Sequence, residues 1–201
     1  MINKENIVPV FEKMLSRSDR ENKLKQHAVC LWFTGLPGSG KSTLAIEVEK
    51  QLQKKGHTTV LLDGDNVRSG LNSDLGFSEE ARTENIRRVA EISKLLISQG
   101  IITLNCFVSP TNAQRKMAEK IIGKNDFRLI WISTPAEVCE ERDPKNHYKK
   151  AKQGKIDKFT GVSSVFEKPL SFYLEVPAHQ LSIKESAAII VKAVLPVIQN
   201  K

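Results

Sequence analysis

Residues 35–42 read Gly35-Leu36-Pro37-Gly38-Ser39-Gly40-Lys41-Ser42, a complete G-x-x-x-x-G-K-S loop whose spacing is built around a triphosphate. The glycines let successive backbone N–H groups turn inward on the β- and γ-phosphates. The Lys41 ammonium reaches the same oxygens, and the Ser42 hydroxyl, next to Thr43, can ligate Mg²⁺. The flanks fit: Val29 to Thr34 is a short apolar run suited to a buried parallel strand, and Leu44 to Val48 opens a helix whose N-terminal dipole faces the anion. ATP with Mg²⁺ is therefore the expected cofactor pair.

At 201 residues and 40% hydrophobic content the chain suffices for one buried domain, expected over 28–201 after a partly amphipathic N-terminal helical arm, 1–27, carrying Ile7, Val10, Phe11, Met14 and Leu15. The arm can pack on the domain or on a second subunit. There is no apolar run near the ~20 residues a membrane span needs and no secretory signal pattern, so a cytoplasmic protein with no membrane partner is expected. Cys30, Cys106 and Cys139 are odd in number and widely spaced, as buried reduced thiols would be. The net charge of +8 is concentrated: between Arg142 and Lys158 stand seven Lys or Arg against two acids. Such a flap can lie over a polyphosphate and offset charge during transfer, or be a solvated loop. A nucleic-acid partner would call for basic residues along one face, and none is expected.

Further strands are expected at Thr58–Leu62, Ile101–Val108, Phe127–Ile132 and His179–Ile183. Helices are expected over the first 15 or so residues after the loop, at Glu79–Gln99, at Asn112–Ile122, from Pro135, and at Glu185–Ile198. This alternation predicts an α/β three-layer sandwich of P-loop NTPase type, with a central, mainly parallel five-stranded sheet and a mobile lid near 142–160. Ligands of such sheets sit beyond the carboxyl ends of the strands, where the Gly35 loop, Asp63-Gly64-Asp65 and Val108-Ser109-Pro110 all fall.

Asp63 and Asp65 at a strand end suit a kinase: one could orient Mg²⁺ or accept a hydroxyl proton, and the other could hold the acceptor. The same residues could form a turn or cap the next helix. Arg68, Arg82, Asn85 and Arg88 could offer guanidinium forks and an amide to an acceptor bearing phosphate or sulfate, or the arginines could pair with Glu79, Glu80, Glu84 or Glu91. For Arg87 that pairing is the preferred reading. Phe77 could stack on a base or staple the helix that follows Ser78.

The stretch Asp63 to Ser78, DGDNVRSGLNSDLGFS, resembles the signature of adenylylsulfate kinases. So do Glu84-Asn85-Ile86-Arg87-Arg88, Phe107-Val108-Ser109-Pro110, Cys139 to Lys145, Tyr148 to Ala151 and Phe159-Thr160-Gly161, in order and spacing over about residues 30–170. The resemblance implies phosphorylation of the 3′-hydroxyl of adenosine 5′-phosphosulfate (APS) by ATP, with Asp65, Arg68, Phe77, Arg82, Asn85, Val108, Ser109, Lys145, Lys158 and Phe159 lining the acceptor site. The base would lie against Phe77 and Phe159, and Arg68, Arg82 and Asn85 would address the phosphosulfate. Lys41, Asp63 and Ser109 are the catalytic candidates, Ser109 standing where the family's active-site serine is marked. In-line transfer needs no covalent enzyme intermediate, so Ser109 is read as a hydrogen-bonding residue. Ser42 and Asp63 are the metal candidates, Arg142 and Lys145 the flap cations, and a homodimer is one option.

The chain departs from the family pattern at Ala81, where an Asp commonly precedes the Arg, at Asn146-His147, and at Val162 to Phe166. The rivals are a kinase of shikimate, gluconate or an antibiotic, and a nucleotide-dependent regulator or nucleic-acid binder. Paired Phe77 and Phe159 argue for a base over a small polar acceptor.

Overall fold

The computed structural model describes residue 10 and residues 13–199. Ile7 and Phe11 of the N-terminal arm lie outside the described residues, and Val10, Met14 and Leu15 are exposed. Helix α1 (Arg17–Leu24) starts at a Ser16–Asp19 capping box. Just beyond it the buried Gln26 side chain donates to the Thr58 and Gly100 carbonyls and accepts from the Thr58 amide.

Strand β1 (Cys30–Thr34) is buried throughout, so its side chains alternate between two apolar layers with no polar face. Leu31 and Phe33 enter the core with Leu44, Val48 and Ile190, contributed by α2 (Lys41–Lys54) and α8 (Ile183–Ile198). Cys30 and Trp32 enter the opposite core with Val89, Ala90 and Ala118, from α4 (Glu79–Ser98) and α5 (Asn112–Ile122). Trp32 and Phe33 have no exposed surface, which is worth about 1.5–3 kcal/mol for a side chain of this size.

The strand order is β2-β3-β1-β4-β5, with β2 (Thr59–Asp63), β3 (Ile102–Cys106), β4 (Phe127–Ile132) and β5 (Leu174–Val176), and every pairing is parallel. The expected three-layer sandwich is observed. The expected last strand at His179–Ile183 is not: β5 is Leu174–Val176, and Ser182 caps α8 in a capping box with Glu185. Leu181 and Ile183 alternate like strand residues, but Ser-x-x-Glu supplies partners for orphan helical N–H groups and starts a helix. The third strand also stops at Cys106 rather than Val108, because the chain turns through Ser109 at φ 37°. Three short helices complete the order: α3 (Gly64–Ser69), for which Asp63 serves as the cap, one of the two readings open for it, α6 (Ala136–Arg142) and α7 (His147–Lys152).

Candidate active site

A cleft of about 1520 Å³ opens at the carboxyl ends of the strands, walled by the Pro37–Leu44 segment, Asp63 to Asn66, the start of α4, Val108-Ser109 and the segment 142–160. Strand β1 leads into the loop and α2 leaves it, with Gly40 at φ 100° in the N-cap position. Gly35 stands at φ 153°, where a Cβ would lie 2.6 Å from the Ile132 carbonyl oxygen. Only glycine takes both the conformation and the close approach.

Lys41 is buried, and its ammonium donates to the carbonyls of Gly35 (3.0 Å) and Leu36 (2.8 Å). Burial pushes it down to about 8, the expected direction for a cation moved out of water. Carbonyl dipoles hold this charge without cancelling it, so it remains available to an anion. At the next residue, Ser42 Oγ donates to Asp63 Oδ2 at 2.6 Å. The other Asp63 oxygen accepts from the Asp65 amide at 3.0 Å and caps α3. Asp63 therefore serves as a helix cap while keeping a carboxylate oxygen beside the phosphate loop. A hydroxyl and a carboxylate this close are hard oxygen donors suited to Mg²⁺ that keeps several waters and phosphate oxygens. Among the described residues no group of three or more His, Cys, Asp or Glu could hold a metal by itself.

On the other wall the arginines separate into two kinds. Arg82 donates to the carbonyls of Phe77 (3.0 Å) and Lys158 (2.7 Å) and to Thr160 Oγ1 (3.2 Å). Arg68 donates to the Leu75 and Gly76 carbonyls and lies 4.6 Å over the Phe77 ring. Both are held by neutral groups and keep their full charge. Arg88 instead chelates Asp74 through two bonds of 2.8 Å and also holds Glu84, while Arg87 holds Glu84 and Glu91. The pair of guanidinium groups holds Glu84 down to about 2. Of the candidates, Arg88 is thus corrected to an ion-paired helix residue, and Arg87 pairs as expected. No Asp is needed at position 81 to orient Arg82, because backbone carbonyls do so.

Phe77 staples nothing: its ring is 67% exposed at the cleft. Phe159 is buried, edge-on to Tyr148 at 5.0 Å. Asn85 lines the cleft and accepts from Asn72 Nδ2 at 3.0 Å. Val108 and Ser109 line the floor. Ser109 Oγ accepts from the buried Trp32 indole (3.1 Å) and lies 3.2 Å from Thr34 Oγ1. Arg142, Lys145 and Asp65 all reach the cleft, and Lys145 pairs with Asp65 across it. Both partners are more than half exposed, so the pair adds little stability. Lys158, at φ 52°, presents its backbone carbonyl to Arg82. Gly35 and Leu36 lie behind the cleft wall as Lys41 acceptors.

Sequence reasoning missed Tyr148 as a site residue: its hydroxyl donates to the Pro37 carbonyl at 2.9 Å and fastens the basic segment to the phosphate loop. Burial pushes this phenol above its ordinary range. A tyrosine set among lysines was the available signal.

Residues 27–177 match the family model described as adenylylsulphate kinase. An adenylyl-sulfate kinase of Bacteroides thetaiotaomicron is 51% identical over 201 residues, 100% of both chains. One from Clostridium acetobutylicum is 56% identical over 158 residues, 79% of this chain and 78% of that one. Among solved structures, an APS kinase of Mycobacterium tuberculosis in complex with AMPPNP and APS superposes with a TM-score of 0.80 at 41% identity, covering 84% of this chain and 98% of that one. This chain belongs to the adenylylsulfate kinase family.

Proposed function

We propose that the chain transfers the γ-phosphoryl group of ATP to the 3′-hydroxyl of APS, giving 3′-phosphoadenosine 5′-phosphosulfate. The observation that carries this reading is the pairing, in one cleft, of a buried uncancelled ammonium (Lys41) with two guanidinium groups (Arg68, Arg82) that neutral groups position. One end suits a polyphosphate donor, and the other suits an acceptor that is itself anionic. The names of the relatives, and the AMPPNP and APS bound by the solved kinase, support the same pair of substrates.

In this reading the phosphates of ATP lie on the backbone N–H groups of residues 38–43, and Lys41 exchanges its loop carbonyls for phosphate oxygens. Ser42 and Asp63 would hold Mg²⁺, which when bound offsets charge on the transferring group. Arg68, Arg82 and Asn85 hold the phosphosulfate, and Phe77 gives the base a face. The acceptor O3′ attacks the γ-phosphorus in line; the new O3′–P bond forms as the bond to the ADP oxygen breaks. Asp63, bonded to Ser42 of the phosphate loop, is the choice for receiving the hydroxyl proton or for orienting Mg²⁺. Arg142 and Lys145 approach from the lid, whose closure excludes water. Ser109, whose hydroxyl is engaged with Trp32, shapes the floor and carries no phosphoryl group. No described helix is long and apolar enough to cross a membrane, and we place the reaction in the cytoplasm.

The test is coupled ADP release with APS and with its 3′-deoxy analogue. Turnover with APS and none with the analogue is expected; equal ADP release with both would overturn the reading.

A further inference from the structure

The turn between α3 and α4 contains an asparagine that reaches no solvent. Asn72 is 0% exposed, its amide nitrogen bonded to the Val67 carbonyl (2.9 Å) and its carbonyl accepting from Leu75 (3.1 Å). Its side-chain Nδ2 donates to Asn85 Oδ1 at 3.0 Å, and its own Oδ1 has no partner. A buried amide satisfied on one side only is a net burden on the fold, where an apolar residue of the same shape would be none. Its one bond falls on a cleft residue.

That bond decides which end of Asn85 faces the cleft. An amide carries an acceptor and a donor on opposite arms. With Oδ1 occupied by Asn72, the Nδ2 arm of Asn85 is the one left to the cleft wall it shares with Arg68 and Arg82. A wall that binds an anion needs donors only, and an Asn85 turned the other way would set a carbonyl oxygen against the phosphosulfate. The same turn carries the Leu75 and Gly76 carbonyls that hold Arg68, so residues 72–76 support two of the three groups addressing the acceptor.

We infer that Asn72 is a positioning residue that sets the polarity of the Asn85 amide and thereby selects an anionic acceptor. The inference rests on the proposed acceptor site. Asn72→Asp keeps the shape and reverses the bond: the introduced carboxylate accepts from Asn85 Nδ2 and turns its oxygen toward the acceptor. At pH 8 the KM for APS rises at least tenfold, while kcat at saturating APS stays within about threefold and AMPPNP affinity is unchanged. Protonation restores a donor to the introduced carboxyl, so the defect shrinks as pH falls from 8 to 6, in contrast to the parent. Asn72→Leu, of the same shape without polar atoms, frees the Asn85 amide to turn and raises the KM by a smaller factor without pH dependence. It serves in place of Asn72→Asp if that variant lacks a cooperative melting transition. Asn85→Ala separates the outcomes. If it raises the KM for APS while both position-72 variants stay within twofold of the parent, this inference falls and the acceptor site stands. If Asn85→Ala has no effect either, both fall. Loss of AMPPNP affinity in parallel with APS affinity would mark Asn72 as merely structural and overturn the inference.

Discussion

Adding one methyl group to either end of the phosphate loop separates what the loop costs the fold from what it does for the nucleotide. At Gly40, with φ 100°, an added Cβ meets nothing within 4 Å. The cost of Gly40→Ala is thus the strain of an L-residue in a left-handed conformation, about 1–2 kcal/mol. For a domain of this size each kcal/mol lowers Tm by about 2–4 °C, so the variant melts about 2–8 °C below the parent. At Gly35, with φ 153°, the Cβ falls 2.6 Å from the Ile132 carbonyl and 2.9 Å from Ser39 Oγ. Ile132 belongs to β4 and its carbonyl cannot withdraw without disturbing the sheet. Overpacking of about 1–3 kcal/mol adds to the strain, and Gly35→Ala melts about 4–20 °C below the parent. Binding reverses the order. Gly40 lines the cleft, so its methyl occupies space meant for phosphate, and AMPPNP affinity falls at least tenfold in Gly40→Ala, the smaller loss of stability. Scanning calorimetry without nucleotide and titration calorimetry with AMPPNP read the two quantities. Equal melting losses in the two variants would rule out the Ile132 clash, and unchanged AMPPNP affinity in Gly40→Ala would rule out phosphate contact at Gly40.

Tyr148→Phe removes the hydroxyl that fastens α7 to the Pro37 carbonyl, a bond worth about 0.5–1.5 kcal/mol; Tm falls by about 1–6 °C and kcat/KM for APS by about 2- to 10-fold. Lys41 is pushed down to about 8, so the folded chain binds fewer protons than the unfolded one from pH 8 to about 10; stability of the nucleotide-free protein rises through that window. ATP binds best to the protonated ammonium, so its affinity falls over the same range and binding takes up a proton, measurable by calorimetry in buffers of different ionisation enthalpy. Arg88→Ala leaves the KM for APS within twofold because Asp74 and Glu84 already hold that guanidinium; a tenfold rise would return Arg88 to the acceptor site.

The parts of the fold legible in the sequence are those whose local pattern and burial agree. The run at β1 reads as a buried strand because both faces are covered, and α4 reads as a helix because Ser78 caps it through the Ala81 amide. Strand β5 has three residues and takes its identity from its pairing with Ile130–Ile132, which no local pattern carries. In the site, the glycine spacing announced the phosphate loop since its geometry is made by neighbours in sequence. The difference between Arg82 and Arg88 was hidden, because it depends on Asp74, 14 residues from Arg88, and on the Lys158 carbonyl, 76 residues beyond Arg82. Ser109 is similarly decided at a distance: its partner Trp32 lies 77 residues away on β1.

Coupled ADP release by Asp63→Ala and Arg82→Ala beside the parent, with ATP saturating and APS varied, tests the division of the cleft most directly. Asp63→Ala is expected to lose at least 100-fold in kcat with the KM for APS little changed, since Asp63 stands on the phosphate side with Ser42. Arg82→Ala loses at least tenfold in apparent APS affinity while AMPPNP affinity is kept. Parent-like turnover in Asp63→Ala, or a loss of AMPPNP affinity in Arg82→Ala with the KM for APS unchanged, would contradict that division.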